Sequence, residues 1–267
     1  MWKTGEVRVA WIHVAPVKGL RIEERDRIEL GPHGVDDDRR FCVVDVESDR
    51  VLNGKRFAPI TTVVPRFDAA TDHLELRLPS GEVASGRVEL ADPTTVTIYG
   101  GHVAAGRIVD GPWAAALSRE FGRELRLVRF DSPGHGHDRA GRAAGATLLS
   151  LASLERLQEE AQVSEPVDPR RFRMLIGIAG ASPHEEDEWI GRRVRVGDAV
   201  VVPAGNVGRC VRTTRDPDTA EPDLDTLELL ARYRREAATT EPLAFGVWAR
   251  VERGGTVRVG DEVVVEP

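Results

Sequence analysis

The sequence predicts a mainly β protein with a few helices, of the α+β class. Apolar side chains alternate at the two-residue period of a strand in several segments, such as residues 7–11 and 73–78. Glycine and proline residues separate these runs and supply the turns between strands. Helical spacing of apolar residues occurs in only a few short stretches. A chain of 267 residues corresponds to one large domain or two closely packed ones.

The β-rich part comes first. Residues 7–99 are expected to form mostly antiparallel strands, among them the β-branched and aromatic runs at 41–46 and 95–99. Cys42 lies inside the first of these runs and is therefore expected to be a core residue.

Three helices are expected further along. Pro112 and Gly122 are placed as the residues that begin and end a short helix. Residues 153–161 place leucines on one helical face. Asp225 and Glu228 have the spacing of a capping box, which predicts the start of the third helix.

An internal echo links residues 193–202 to residues 256–265, because each reads as strand, Gly-Asp turn and strand. Glycine and aspartate tolerate the turn and the flanking valines favour extended chain, so two β-hairpins in one barrel wall are predicted. The turn-rich segment at 130–139 is the expected boundary or rim loop. The predicted domains span 5–125 and 126–267.

Composition excludes several classes of protein. No apolar run approaches the roughly 20 residues that cross a bilayer, and residues 1–6 do not resemble a signal peptide, so no membrane association is expected. The net charge is −7 and the sequence has no basic run, so no nucleic-acid-binding surface is expected. Two cysteines exclude a disulfide framework and a cysteine-only zinc site, and they fit a cytoplasmic location.

Cys210 is the leading candidate for chemistry. Arg209, Arg212 and Arg215 surround it in sequence, and cationic neighbours favour the thiolate form that attacks electrophiles and binds metals. The alternative is a small buried residue at the end of a strand.

Other candidates have simpler interpretations. His135, His137 and Asp138 have spacing that could contribute to a metal site, but no clear fourth ligand accompanies them, so a solvated loop is preferred. The acidic run at 184–188 could bind a cation, and a surface turn is preferred there. The lysine and arginine side chains elsewhere in the chain are expected to contribute to function only if several of them surround one bound anion. No nucleophile elbow, P-loop or dinucleotide fingerprint is present.

The order of the motifs resembles a known family. These motifs are Pro16-Val17-Lys18-Gly19, Asp38-Arg39, residues 148–154, Arg171-Phe172-Arg173, Glu186-Asp187-Glu188-Trp189, Arg209-Cys210 and residues 214–219. Together they resemble the MOSC domain, named for the C-terminal domain of molybdenum cofactor sulfurases, preceded by its N-terminal β-barrel part. The resemblance implies a MOSC-type β-barrel plus an N-terminal β-barrel-like domain.

The resemblance extends to the amidoxime reducing component family, whose members bind a molybdopterin form of molybdenum cofactor. It implies reduction of N-hydroxylated small molecules with electrons from a separate redox protein. Cys210 would be the molybdenum ligand, and Asp187 would lie near the cofactor pocket as a second catalytic residue. The implied cofactor-binding residues are Lys18, Arg39, Ser150, Ser153, Arg171, Arg173, Arg209 and Thr214. No pyridoxal phosphate or iron–sulfur cluster is expected in this chain.

Two departures from the family pattern stand out. Met174-Leu175 occupies the place of a frequent Pro-Asn pair, which removes an amide that could bind the cofactor, and Gly19 replaces a frequent serine. An alternative function is a non-redox carrier of molybdenum cofactor or sulfur that uses a persulfide on Cys210. A third possibility is a related scaffold without cofactor.

Overall fold

A computed structural model describes residues 6–98, 101–136 and 145–266. In these ranges the chain is mostly β-strand, which confirms the predicted class. The strands are β1 (Arg8–Val14), β2 (Val17–Lys18), β3 (Glu23–Arg25), β4 (Arg27–Leu30), β5 (Phe41–Asp45), β6 (Arg50–Val51), β7 (Val64–Asp68), β8 (His73–Arg77), β9 (Val83–Arg87), β10 (Glu89–Thr97), β11 (Val103–Asp110), β12 (Leu125–Phe130), β13 (Ala146–Ser150), β14 (Ile176–Ala179), β15 (Val194–Val196), β16 (Ala199–Gly208), β17 (Ala244–Arg253), β18 (Gly255–Arg258) and β19 (Val263–Val265).

The helices are α1 (Pro112–Phe121), α2 (Leu151–Ala161) and α3 (Thr226–Tyr233), together with 3-10 helices at Ala58–Thr62, Pro169–Phe172, Glu185–Trp189 and Val211–Thr214. Helix α1 ends at Gly122, whose φ of 61° is left-handed. The Asp225 carboxylate accepts a hydrogen bond from Glu228 N at 3.0 Å, so the predicted N-cap is present. Within the described ranges, none of the helices has the length and apolar character to cross a bilayer.

The larger sheet has eight strands in the order β19-β15-β16-β17-β13-β14-β1-β3 and curls into a half-barrel. Strands β13 and β14 are parallel, whereas the other pairs in this sheet are antiparallel. Its core is filled by apolar side chains, including Ile12, Leu148, Ile176, Val247 and Trp189.

The second sheet has the order β10-β11-β12-β5-β2, with β6 paired to β5, and β7-β8-β9 form a separate three-stranded sheet. Helix α1 packs here through Trp113, whose indole donates to Leu74 O at 3.1 Å. Cys42 is fully buried, as predicted. Both large sheets contain strands from either side of residue 125, so the two halves of the chain are interleaved.

The two similar segments, residues 193–202 and 256–265, form one hairpin and not two. Strands β15 and β16 pair with each other as predicted. In the second copy, β18 pairs with β4 and β19 pairs with β15, so the second hairpin prediction is wrong. Similar local sequence takes different partners because pairing depends on which strand edges the rest of the fold leaves open.

Candidate functional site

Cys210 lies where β16 leaves the larger sheet. Its backbone is extended, with φ of −138°, and it precedes the 3-10 helix Val211–Thr214. Thr213 donates to the Cys210 carbonyl through its backbone N at 2.9 Å and its Oγ1 at 3.0 Å. Thr213 also shares a hydrogen bond with Thr226 of α3 at 2.6 Å. The side chain is a free thiol and the residue is partly exposed, so a fixed backbone holds a partly exposed cysteine at this position.

Arg209 connects this strand end to two neighbouring segments. Its Nε donates to Phe245 O at 2.9 Å and its Nη1 donates to Phe172 O at 2.9 Å. The guanidinium also lies 5.4 Å from the centre of the Phe172 ring. Arg209 therefore ties the end of β16 to β17 and to the 3-10 helix Pro169–Phe172.

Arg39 and Arg173 contact each other, and Arg173 directly follows Phe172 in the chain. Arg39 Nη2 donates to Arg173 O at 3.3 Å, and Arg173 Nη1 donates to Leu20 O at 2.6 Å. Arg39 also forms an ion pair with Asp38, which accepts from Ala15 N at 2.7 Å. Both arginines have left-handed backbones, with φ of 54° and 53°. Such conformations are uncommon outside glycine and are enriched at functional sites.

Lys18 reaches the same region through Gly136. Its Nζ donates to Gly136 O at 2.7 Å. A Cβ at Gly136 would lie 2.0 Å from Arg39 O, so this glycine packs directly on Arg39. Lys18 and Arg39 therefore flank one loop. His137 and Asp138 of the same loop lie outside the described residues.

Arg171 and Thr214 hold the loop that follows Cys210. The Arg171 guanidinium forms a two-pronged ion pair with Asp223, with Nη1 at 2.6 Å from Oδ1. Asp223 N donates to Thr214 O at 3.1 Å, and Thr214 Oγ1 donates to Val211 O at 2.7 Å. These contacts neutralise the Arg171 charge and fix the loop close to the thiol.

Arg212 interacts electrostatically with both Cys210 and Arg39. Burial lowers the pKa of Arg212 to about 10, Cys210 opposes this shift, and the charge of Arg39 adds to it. Cys210 and Arg39 are thus both close enough to Arg212 to affect its proton affinity. The structure therefore brings Cys210, Arg39, Arg173 and Arg212 into one region, together with Lys18.

Ser150 and Ser153 are engaged elsewhere. Both residues are fully buried. Ser150 Oγ donates to Ser182 O at 3.2 Å, and Ser153 Oγ donates to Glu186 Oε1 at 3.3 Å. Ser150 N donates to the same Glu186 oxygen at 3.2 Å. The hydroxyl groups of both serines donate hydrogen bonds within the protein, and cofactor contacts by these two serines stay a prediction.

Glu186 shows that the acidic run is more than a surface turn. Its side chain is fully buried in the 3-10 helix Glu185–Trp189. Burial raises the pKa of Glu186 to about 7, although the hydrogen bonds from Ser150 and Ser153 oppose that shift. The preferred interpretation of residues 184–188 as a surface turn was wrong at this position.

Asp187 is also held by the protein. Its Oδ1 accepts from Asn206 Nδ2 at 2.6 Å, and its Oδ2 pairs with Arg234 Nη2 at 2.5 Å. Asn206 and Arg234 are both buried. Because both carboxylate oxygens have strong partners, Asp187 is a half-buried support for its neighbours, and its catalytic role stays a prediction. Asn206 lies on β16, so the support acts on the strand that leads to Cys210.

The structure shows the surroundings of the two departures from the family pattern. Leu175 is buried in the half-barrel core, and Met174 is buried with its sulfur 2.9 Å from Arg209 Nη2. Neither side chain is therefore placed to replace the missing amide. Gly19 has φ of 89°, and a Cβ there would lie 2.8 Å from Leu52 O. A serine at this position would need the backbone to move.

Gly19→Ala is expected to destabilise the protein more than Gly81→Ala. Both glycines have φ near 90°, but a Cβ at Gly81 meets nothing within 4 Å. Gly81→Ala therefore measures the backbone strain alone, about 1–2 kcal/mol. Gly19→Ala adds a clash with backbone, so a larger loss of unfolding free energy is expected in urea titrations. Equal losses for the two variants would contradict this reading.

Sequence reasoning missed three supporting residues. Glu186, Asn206 and Arg234 form buried polar contacts whose partners are distant along the chain. The one signal for Glu186 was its position three residues before a tryptophan, at helical spacing, which is consistent with an inward-facing side chain.

Comparison with known proteins agrees with this architecture. Residues 134–264 match the MOSC domain family, and residues 6–115 match the MOSC N-terminal beta barrel domain family. Mitochondrial amidoxime reducing component 2 from Macaca fascicularis is 26% identical over 98% of this chain and 83% of its own length. Molybdenum cofactor sulfurase from Oryza sativa subsp. japonica is 33% identical over 33% of this chain and 10% of its own length.

Among solved structures, the YUAD protein from Bacillus subtilis superposes with a TM-score of 0.43 and 12% identity, over 98% of this chain and 97% of that chain. The two family matches together take in most of the described residues. The chain therefore belongs to the MOSC-domain proteins that carry the MOSC N-terminal β-barrel domain, and it is similar to the amidoxime reducing components.

Proposed function

We propose that this protein binds the molybdopterin form of molybdenum cofactor at Cys210 and reduces N-hydroxylated small molecules. Electrons would come from a separate redox protein, and the location would be the cytoplasm. The observation that carries the proposal is a partly exposed free cysteine near the half-buried Arg212, in the region where Arg39 contacts Arg173. Relatives named as amidoxime reducing components and molybdenum cofactor sulfurases support it.

The residues present fit this cofactor. A thiolate is a soft ligand that suits molybdenum bound by pterin sulfur atoms, and arginine binds phosphate oxygens through paired hydrogen bonds. Within the described ranges, no cluster of three histidine, cysteine or acidic side chains could hold a metal ion by itself. A metal at Cys210 would therefore take its remaining ligands from the cofactor.

The chain would contribute binding, charge and position. Cys210 would anchor the metal, while Arg39 and Arg173 would balance the negative charge of the phosphate and dithiolene groups. Lys18, already tied to Gly136, would add positive charge on the other side of the loop. When bound, the cofactor supplies the two-electron chemistry that removes oxygen from the substrate nitrogen.

Four further residues would act by supporting the site. Arg209 and Asp187 hold β16 and its end, while Arg171 and Thr214 hold the loop after Cys210. We propose them as positioning residues that maintain the orientation of the thiol.

The test is to purify the protein from a host that makes molybdenum cofactor. Bound molybdenum and pterin are measured, and then benzamidoxime reduction with an artificial electron donor. Near-stoichiometric metal and pterin with turnover are expected. Protein free of cofactor from such a host would overturn the proposal.

The sulfurase relatives favour one alternative, a carrier of cofactor or sulfur. Cofactor binding without reduction of any N-hydroxylated compound would favour delivery of cofactor. A persulfide on Cys210 without molybdenum, detected by intact-mass spectrometry, would favour sulfur transfer.

A further inference from the structure

Arg212 is a half-buried cation whose guanidinium has unused hydrogen-bonding capacity. Its Nη1 is buried and has no hydrogen-bond partner among the residues that the structure describes. The guanidinium packs on Gly54, where a Cβ would lie 2.1 Å from Nη1 and 2.8 Å from the Thr61 methyl group. Gly54 therefore makes the space that this side chain occupies. Leaving a charged donor unsatisfied costs free energy, so such an atom calls for an explanation.

The charged groups around Arg212 do not explain the unpartnered Nη1. A cleft brings Arg212 together with Thr61, Arg170, Arg171, Arg215 and Asp216. Arg170 pairs with Asp168 and Asp218, and Arg171 pairs with Asp223. Arg215 donates to Ala220 O at 2.9 Å. Across residues 6–98, 101–136 and 145–266, no carboxylate forms an ion pair with Arg212.

We propose that Arg212 is a ligand-binding residue whose guanidinium donates to a phosphate group of the ligand anchored at Cys210. The inference rests on the proposed function for the identity of that ligand, and it adds to the proposed site a residue that the motifs did not assign. Arg39 already pairs with Asp38, whereas Arg212 has no acidic partner in the described part of the chain, so a negatively charged group would balance the charge of Arg212. Phosphate has that charge and offers oxygens in the geometry that guanidinium matches.

The first measurement uses the metal-free protein and inorganic phosphate. Melting temperature is recorded against phosphate concentration, with potassium chloride at matched ionic strength as the reference. Phosphate is expected to stabilise the wild type. Arg212→Leu is expected to weaken phosphate binding about ten- to a hundredfold, because hydrogen bonds to charged groups are lost. Arg212→Lys should recover part of the response.

The second measurement separates ligand binding from a structural role. Without phosphate, Arg212→Leu is expected to melt at or above the wild-type temperature, because a cation whose buried Nη1 has no partner within the described ranges is removed. A structural arginine would give a lower melting temperature instead. Arg232→Leu is the control, since Arg232 is exposed on α3 and bonded to Glu160 O, and its phosphate response should equal that of the wild type.

The third measurement is pterin and molybdenum content after expression with cofactor. Arg212→Leu should contain less of both than the wild type and the Arg232→Leu control. Unchanged phosphate response and unchanged pterin content in Arg212→Leu would overturn the inference while the proposed function stands. Wild-type protein without pterin would overturn the proposed function, and the phosphate response would still decide the role of Arg212.

Discussion

Cys210→Ser protein from a cofactor-producing host is expected to contain at least about tenfold less molybdenum than the wild type. A serine hydroxyl is a hard ligand that stays protonated near neutral pH, so it replaces the soft thiolate poorly. The backbone contacts of this position use its carbonyl group, so they remain in the variant. Metal analysis of purified protein, normalised to protein concentration, measures the effect.

Cys42 supplies the matched control because it is the other cysteine of the chain. It is fully buried, and burial raises the pKa of its thiol to about 12, so it stays neutral. Cys42→Ala should keep wild-type molybdenum content and lose about 1 kcal/mol of unfolding free energy through a small cavity. Loss of metal in Cys42→Ala together with retention in Cys210→Ser would reverse the assignment.

Glu186→Gln is expected to remove a large part of the pH dependence of stability between pH 4 and pH 8. Folding raises the pKa of Glu186 from its ordinary value of 4.5 to about 7 because the carboxyl is buried. The folded state therefore binds a proton that the unfolded state releases in this range. Stability from this group is fully present below pH 4.5 and is lost as pH rises through 7. The full difference is about 3 kcal/mol.

The measurement is the free energy of unfolding from urea titrations at several pH values. The slope with pH is compared between variants, so a uniform loss of stability does not affect the reading. Glu188→Gln is the control, since Glu188 is exposed in the same 3-10 helix and should keep the wild-type slope. If Glu186→Gln retained the wild-type slope, another group would have to account for it.

The strand and helix predictions succeeded where a local rule applies. The Asp225 cap, the Gly122 helix end and the burial of Cys42 each follow from a few neighbouring residues. The second hairpin prediction failed because β18 pairs with β4, a strand more than 200 residues earlier in the chain. Local periodicity indicates a strand, but it does not identify its partner.

The features of the candidate site also divide into those that neighbouring residues indicate and those that depend on distant segments. The motifs placed Cys210 beside arginines, and the folded chain brings Arg39 and Arg173 into contact across more than 130 residues. The motif around Ser150 and Asp187 gave no sign that both serve buried polar contacts. Hydrogen-bond partners from distant segments determine whether a polar side chain is available to a ligand.

The sequence by itself therefore determined the mainly β class, the three helices, the family and the buried position of Cys42. These depend on residue type and spacing, which act over short distances along the chain. Only the tertiary structure decided which cations surround Cys210, which polar residues are already satisfied, and that Arg212 retains an unused donor. Those properties depend on burial and on the number of available partners, and both arise only when distant segments pack together.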